Sequence, residues 1–213
     1  MKNIDKRILT SILLLFILYL AYISQIFLLI LIFFVFLQIF DEFFNIFKKI
    51  YFKNKLKFFF ILFFILFYLT YFFKDIWISL STKNNNELYF FLIVTICIST
   101  DIGGYVFGKL FKGKKLTNIS PNKTFSGMYG SFIFSIFFTV LIFKDQLSIQ
   151  YIVLFSFFIS LFSQIGDIFI SFLKRKVKIK DTGNILPGHG GLLDRFDGII
   201  VAMPLGFLIL NNL

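Results

Sequence analysis

Apolar residues run through this chain in long blocks separated by short polar intervals. The blocks fall at roughly residues 8–22, 24–40, 58–73, 88–108, 127–143, 150–173 and 195–212. Crossing a bilayer takes about 20 predominantly apolar residues in a helix, and lipid tolerates no unpaired backbone. The pattern therefore predicts an all-α, polytopic integral membrane protein with about seven transmembrane helices. The first two blocks nearly adjoin, and a tight helical hairpin is expected around Ser24 and Gln25. The segment 75–82, with Trp77, is too short to span and is expected at the interface. No repeat or low-complexity linker divides the chain, so residues 1–213 read as a single transmembrane domain.

Composition excludes a soluble fold. The 213 residues are 58% hydrophobic and 22% aromatic, against roughly 45–50% apolar for a soluble domain. Charge then sets the direction of threading. With the N-terminus cytoplasmic, the inside segments 1–7, 41–57, 109–126 and 174–195 hold 19 Lys and Arg, and the outside segments hold only Lys74, Lys83 and Lys144. That asymmetry obeys the positive-inside rule. It accounts for most of the net charge of +11, so nucleic-acid binding need not be invoked. The opening MKNIDKR before an apolar run has the look of a signal peptide but lacks a small-residue cleavage site. It is expected to stay as the first span. Cys97, the single cysteine, reads as a small buried hydrophobe.

Carboxylates are scarce, 11 in all, so their positions carry information. Asp101 and Asp167 fall within predicted spans, and Asp194 and Asp197 at the start of the last one. Ionisable groups at such depth are costly and tend to line a cavity or a site. Ser163, Asp167, Ser171 and Lys174 are spaced to share one helical face, and Asp194 and Asp197 are expected to share another. Two helices would then direct three carboxylates to one point, suited to a hard cation such as Mg²⁺. Pairing of the same aspartates with Lys174, Arg175 or Arg195 to hold helices together is the alternative, and spacing leaves both open.

The polar interval KRKVKIKDTGNILPGHGGLLDRFDG, residues 174–198, concentrates cations, carboxylates, glycines and the lone histidine in an otherwise apolar chain. Gly183, Gly188, Gly190 and Gly191, with Pro187, make a sharply turning loop whose backbone N–H groups could cradle phosphate; a plain re-entrant turn is equally compatible. His189 lies among the glycines. In the other inside loop, Lys109, Lys112, Lys114 and Lys115 suit anionic lipid headgroups. Lys123 sits in a turn and is the better candidate for a substrate phosphate.

Taken together, SFLKRKVKIKDTGNILPGHGGLLDRFDG resembles the signature of the phosphatidate cytidylyltransferases, the CDP-diacylglycerol synthases. Ser171, Lys174, Arg175, Lys180, Asp181, Gly183, Leu186, Pro187, His189, Gly190, Gly191, Asp194, Arg195 and Asp197 meet that pattern. STDIGGYVFGKLF (99–111), ISPNKTFSG (119–127) and SQIGDIF (163–169) look like the same family. The resemblance covers a catalytic half, about residues 95–200, while residues 1–90 match only as hydrophobic spans.

The resemblance implies transfer of a cytidylyl group from CTP to phosphatidate, giving CDP-diacylglycerol and pyrophosphate in phospholipid biosynthesis. It implies Asp167, Asp194 and Asp197 as ligands for Mg²⁺, with a second cation an option. Lys180, Arg195 and His189 would be catalytic, His189 as a phosphate contact and not a base. Lys123, Lys174, Arg175, Ser120 and Asp101 would bind substrate or border its cavity, and Asp181 would orient Lys180 or Arg195. The expected partners are CTP, phosphatidate and membrane lipids, with a homodimer left open. The expected place is the inner (plasma) membrane, multi-pass, with the active site facing the cytoplasm. Two departures stand out: Ser126 and Ile170 occupy positions where the family usually has Glu.

Three rivals remain. A CTP-dependent lipid kinase, or a cytidylyltransferase acting on another lipid phosphate, would use the same metal and cations, though HGGLLDRFD favours the first reading. An ion-coupled transporter would bind its ion at intramembrane aspartates, but the polar residues gather toward one membrane face and no half-chain symmetry is visible. A non-catalytic homologue would follow if Ser126 and Ile170 disable the site.

Overall fold

The structure is a computed structural model that describes residues 16–17, 19–81, 85–117, 119–185 and 190–211. The first predicted span, 8–22, lies largely outside the described residues, as do Leu186, Pro187, Gly188 and His189. Among the described residues there are seven named helices and no strand: α1 (Gln25–Ile50), α2 (Lys55–Ser81), α3 (Asn85–Phe111), α4 (Phe125–Phe143), α5 (Ile149–Lys176), α6 (Leu193–Phe196) and α7 (Ile199–Asn211). Helices α1 to α5 are each long and apolar enough to cross a membrane. The chain is an all-α, multi-pass membrane protein.

Local chemistry explains where the helices begin and end. Ser24, in an extended conformation, caps α1 by accepting the Phe27 N–H at 3.4 Å, which sets where α1 begins. Asn54 accepts the Lys57 N–H at 3.1 Å and Thr124 accepts the Gly127 N–H at 3.1 Å, so α2 and α4 open on side-chain caps as well. Cations close α1 (Lys48, Lys49) and α5 (Lys174, Arg175, Lys176), where they meet the negative end of the helix dipole.

Two expectations are corrected. Residues 75–81 do not form a segment separate from the preceding span. Nothing in KDIWISLS breaks a helix, Ile76 and Ser79 are buried along it, and α2 runs on to Ser81. Nor do Asp194 and Asp197 share one helical face. The helix of Asp194 ends at Phe196, a turn at Asp197 and Gly198 follows, and α7 starts at Ile199. Asp197 Oδ1 accepts the Gly198 N–H at 2.9 Å, a local bond that competes with helix continuation. Helix α7 has 13 residues, roughly 20 Å at the α-helical rise.

The chain forms two compact units. The first comprises Met1–Trp77 and Leu173–Phe196, the second Ile78–Phe172 and Asp197–Leu213. In the first, Ile39, Phe43 and Ile46 of α1 and Leu69, Phe72 and Phe73 of α2 are buried, and the Phe36 and Phe73 rings meet edge to face at 5.6 Å. Phe59, Phe60, Phe63, Phe64 and Phe67 of α2 stay exposed, as suits rings that face acyl chains.

In the second unit α3 and α4 pack through small residues. A Cβ added at Gly103 would run into the Gly130 carbonyl, and one added at Gly104 into Ser131. Close approach of this kind is how membrane helices associate without a hydrophobic drive between them. Ser131 Oγ donates to the Thr100 carbonyl at 2.7 Å, and Thr100 Oγ1 donates to Ser160 Oγ at 2.8 Å, which ties α3 to α4 and α5. Cys97 is buried here as a free thiol.

Candidate active site

In the second unit, the polar cluster is built on α3, α5 and the loop before α4. Backbone bonds shape that loop: Leu116 N–H donates to the Lys123 carbonyl at 2.8 Å, Phe125 N–H to Lys114 at 3.0 Å, and Lys123 N–H to Ser120 at 3.0 Å. Ser120 is itself held by Thr117, whose hydroxyl accepts the Ser120 N–H at 3.2 Å. The loop so folded presents Lys123, which forms an ion pair with Asp167 of α5. Ser171, one turn along α5, donates to Asp167 Oδ1 at 3.4 Å. Asp101 of α3 interacts through space with both Asp167 and Lys123.

The turn at Asp197 belongs to the same unit. A Cβ on Gly166 would press into the Asp197 carbonyl, and one on Gly198 into Ser163. The backbone of Asp197 thus rests on the residue before Asp167. Five candidate site residues, Asp101, Ser120, Lys123, Asp167 and Asp197, belong to this one unit. Ser126, where the family usually has Glu, bonds Thr124 Oγ1 at 2.9 Å. Ile170 is fully buried.

In the first unit, Asp194 is the hub. Its Oδ1 accepts from Lys174 Nζ at 2.8 Å. Its Oδ2 accepts the backbone N–H groups of Thr182 at 2.8 Å and Gly191 at 3.0 Å, and faces Thr182 Oγ1 at 3.1 Å. Burial alone would push the Asp194 carboxyl up, but Lys174 and the two N–H donors outweigh it and hold the group below its ordinary range. Gly190, at φ +82°, has its missing side chain's place taken by Asp194 and Asp181.

A residue not anticipated from the sequence completes this network. Glu42 of α1 is only 3% exposed. Its Oε1 accepts the Leu192 N–H at 2.8 Å and its Oε2 the Leu193 N–H at 2.9 Å, and Thr182 Oγ1 donates to Oε2 as well. These contacts satisfy donors that the start of a helix leaves orphaned. Gly183 and Gly191 border the same carboxylate so closely that a Cβ on either would strike it. Among the remaining predicted residues Arg175, Lys180, Asp181 and Arg195 are exposed; His189 lies outside the described residues.

Mg²⁺ takes oxygen ligands, commonly one or two carboxylates completed by water and phosphate oxygens. Among the described residues no group of three or more His, Cys, Asp or Glu side chains is placed to hold an ion. In the second unit Asp101 and Asp167 are near enough for each to feel the other's charge, and carboxylate oxygen is the donor type such an ion takes.

Membrane helices, a carboxylate–lysine cluster and a glycine-rich polar loop are now joined by the match to known proteins. Residues 3–213 match the family model described as "Cytidylyltransferase family". The chain belongs to the cytidylyltransferase family. Within it, the chain is 44% identical over 126 residues to a phosphatidate cytidylyltransferase of Bacillus subtilis, covering 57% of this chain and 47% of the relative. It is 45% identical over 122 residues to one from Staphylococcus haemolyticus, covering 55% and 46%. A third, from Rickettsia typhi, is 40% identical over 143 residues, covering 61% of each chain. The chain thus spans about half the length of the first of these cytidylyltransferases, and somewhat more of the third.

Proposed function

We propose that this chain transfers the cytidylyl group of CTP to phosphatidate, yielding CDP-diacylglycerol and pyrophosphate. The observation that carries the reading is the Lys123–Asp167 pair beside Asp101, in a multi-pass membrane protein of the cytidylyltransferase family. A phosphate oxygen of phosphatidate attacks the α-phosphorus of CTP, and the bond to the β-phosphate oxygen breaks as pyrophosphate leaves. The lipid phosphate is already anionic near neutral pH, so no general base is needed. The difficulty is bringing two anions together, and positioned cations meet it by electrostatic stabilisation.

Lys123 is the first such cation. It leaves Asp167 for a substrate phosphate at the cost of a pair that is about a quarter exposed on each side, so the exchange is cheap. Arg175, Lys180 and Arg195 are exposed cations of the signature segment and take further phosphate oxygens, with His189 as an added contact. Lys174 binds substrate only by trading its bond to Asp194.

Mg²⁺, when bound, would neutralise charge on the α-phosphate and the departing pyrophosphate. Asp167 and Asp197 are its proposed ligands in the second unit, with Asp101 adding negative charge beside Asp167. As a cation ligand in the first unit, Asp194 would give up one of its present donors. The reactants, one lipid and one soluble, call for a site at the cytoplasmic face, in agreement with the Lys and Arg of the loops.

The test is direct: membranes containing the chain, supplied with phosphatidate, CTP and Mg²⁺, form CDP-diacylglycerol and pyrophosphate in equal amounts. Neither product above the level of empty membranes would end the proposal.

A further inference from the structure

We propose that Glu42, on α1 and far in sequence from the signature segment, is the positioning residue for that segment. It fixes where Asp194, Arg195 and the chain around Lys180 stand. The activity readout below rests on the cytidylyltransferase reading; the other readouts do not.

The geometry is specific to a carboxylate of this length. Three donors converge on Glu42: the Leu192 N–H on one oxygen, and the Leu193 N–H and the Thr182 hydroxyl on the other. Leu192 and Leu193 open the turn that carries Asp194, and Thr182 lies on the far side of the loop. Glu42 therefore grips both flanks of the polar segment at once. Thr182 also gives its backbone N–H to Asp194, so the two carboxylates share one intermediary. The side chain is 3% exposed, which removes water as a substitute acceptor.

The glycines fit around this acid. Gly183 and Gly191 leave the space that the Glu42 carboxylate fills. At these two positions the missing side chain serves the approach of a carboxylate, whatever else the loop binds. A methyl group at Gly183 would meet Oε1 of Glu42 at 2.8 Å, and the pinned acid has little freedom to yield.

Glutamine cannot replace Glu42. Whichever way its amide turns, an NH₂ group faces a backbone N–H, and one buried donor loses its acceptor. The loss corresponds to about tenfold or more in the population of the held segment. Trypsin reads that population, because Lys176, Lys178 and Lys180 lie in the segment. In Glu42→Gln, cleavage at these lysines should accelerate by about tenfold or more, and kcat should fall in parallel. Gly183→Ala should do the same by displacing the acid. Adding Glu42→Asp, one methylene shorter, to Gly183→Ala should recover much of the protection, whereas Glu42→Asp alone is impaired.

The wild type and the four variants, as intact chains in membranes, are compared for cleavage rate and CTP turnover. Wild-type cleavage in Glu42→Gln, or strictly additive effects of Glu42→Asp and Gly183→Ala, would overturn the proposal. If Glu42→Gln does not accumulate, Thr182→Val takes its place, since it removes a single hydroxyl; unchanged cleavage there overturns the proposal equally. Absence of turnover in the wild type would count against the enzymatic reading alone, because cleavage and rescue are still measured.

Discussion

Asp194→Asn offers the sharpest separation between holding the fold and doing chemistry. The Lys174–Asp194 pair is 14% and 8% exposed on its two sides, and removing one partner of a buried pair costs about 3–5 kcal/mol. Asparagine can keep its oxygen toward the Thr182 and Gly191 N–H groups, but its amide then faces the Lys174 ammonium. The cost falls mainly on that pair, and about 3 kcal/mol is expected. The same exchange at Asp167, whose pair with Lys123 is about a quarter exposed, should cost about 1 kcal/mol or less. Unfolding of the two variants in detergent, by heat or denaturant, provides the comparison. Asp194→Asn should be clearly destabilised and Asp167→Asn close to wild type. Lys174→Met in the Asp194→Asn background should restore part of the loss, because no unpaired charge is then left buried. Asp194→Asn as stable as the wild type would refute the reasoning.

Further outcomes follow from the same geometry. Asp194 is held below its ordinary value of 3.8, so its stabilisation is complete well above that value and is lost as pH falls through the lowered one; acid unfolding curves of wild type and Asp194→Asn should converge at low pH. Asp167→Asn should fold normally yet lose on the order of 10²-fold in turnover, and normal turnover would remove it from the site. Ile170→Glu, though it restores the usual family residue, buries a charge at a fully enclosed position; it should cost on the order of 3 kcal/mol, read as lower expression and melting temperature. Cysteine labelling should reach residues 176–185 from the cytoplasmic side only, and labelling from outside would reverse the topology.

Hydropathy located α1 to α5 because crossing a membrane demands an apolar run. It marked the depth of the membrane and not the helix ends: α1 continues past residue 40 through Lys48 and Lys49, since a helix does not stop where lipid does. Spacing placed Asp194 and Asp197 on one helix and failed, because the turn at Asp197 and Gly198 depends on a local side-chain bond that periodicity does not register. Asp101 and Asp167 drew notice because charges inside apolar blocks are expensive, and Lys123 because it sits in a turn of a polar loop. Glu42 was passed over for the opposite reason. It sits just beyond an apolar block and next to Asp41, where an acid reads as solvated. Its burial arises from contacts 140 to 151 residues away, and no local pattern reports those. The glycines were left open between a phosphate cradle and a plain turn, and nothing in their spacing showed that Gly183 and Gly191 border Glu42.

The most direct test of the account is the fate of the phosphates of CTP. With label in the α-phosphate, membranes holding this chain and given phosphatidate should pass the label into lipid. With label in the γ-phosphate, it should leave as pyrophosphate and none should enter lipid. Lipid labelled from the γ-phosphate and not from the α-phosphate would make the chain a CTP-dependent lipid kinase, and would contradict cytidylyl transfer.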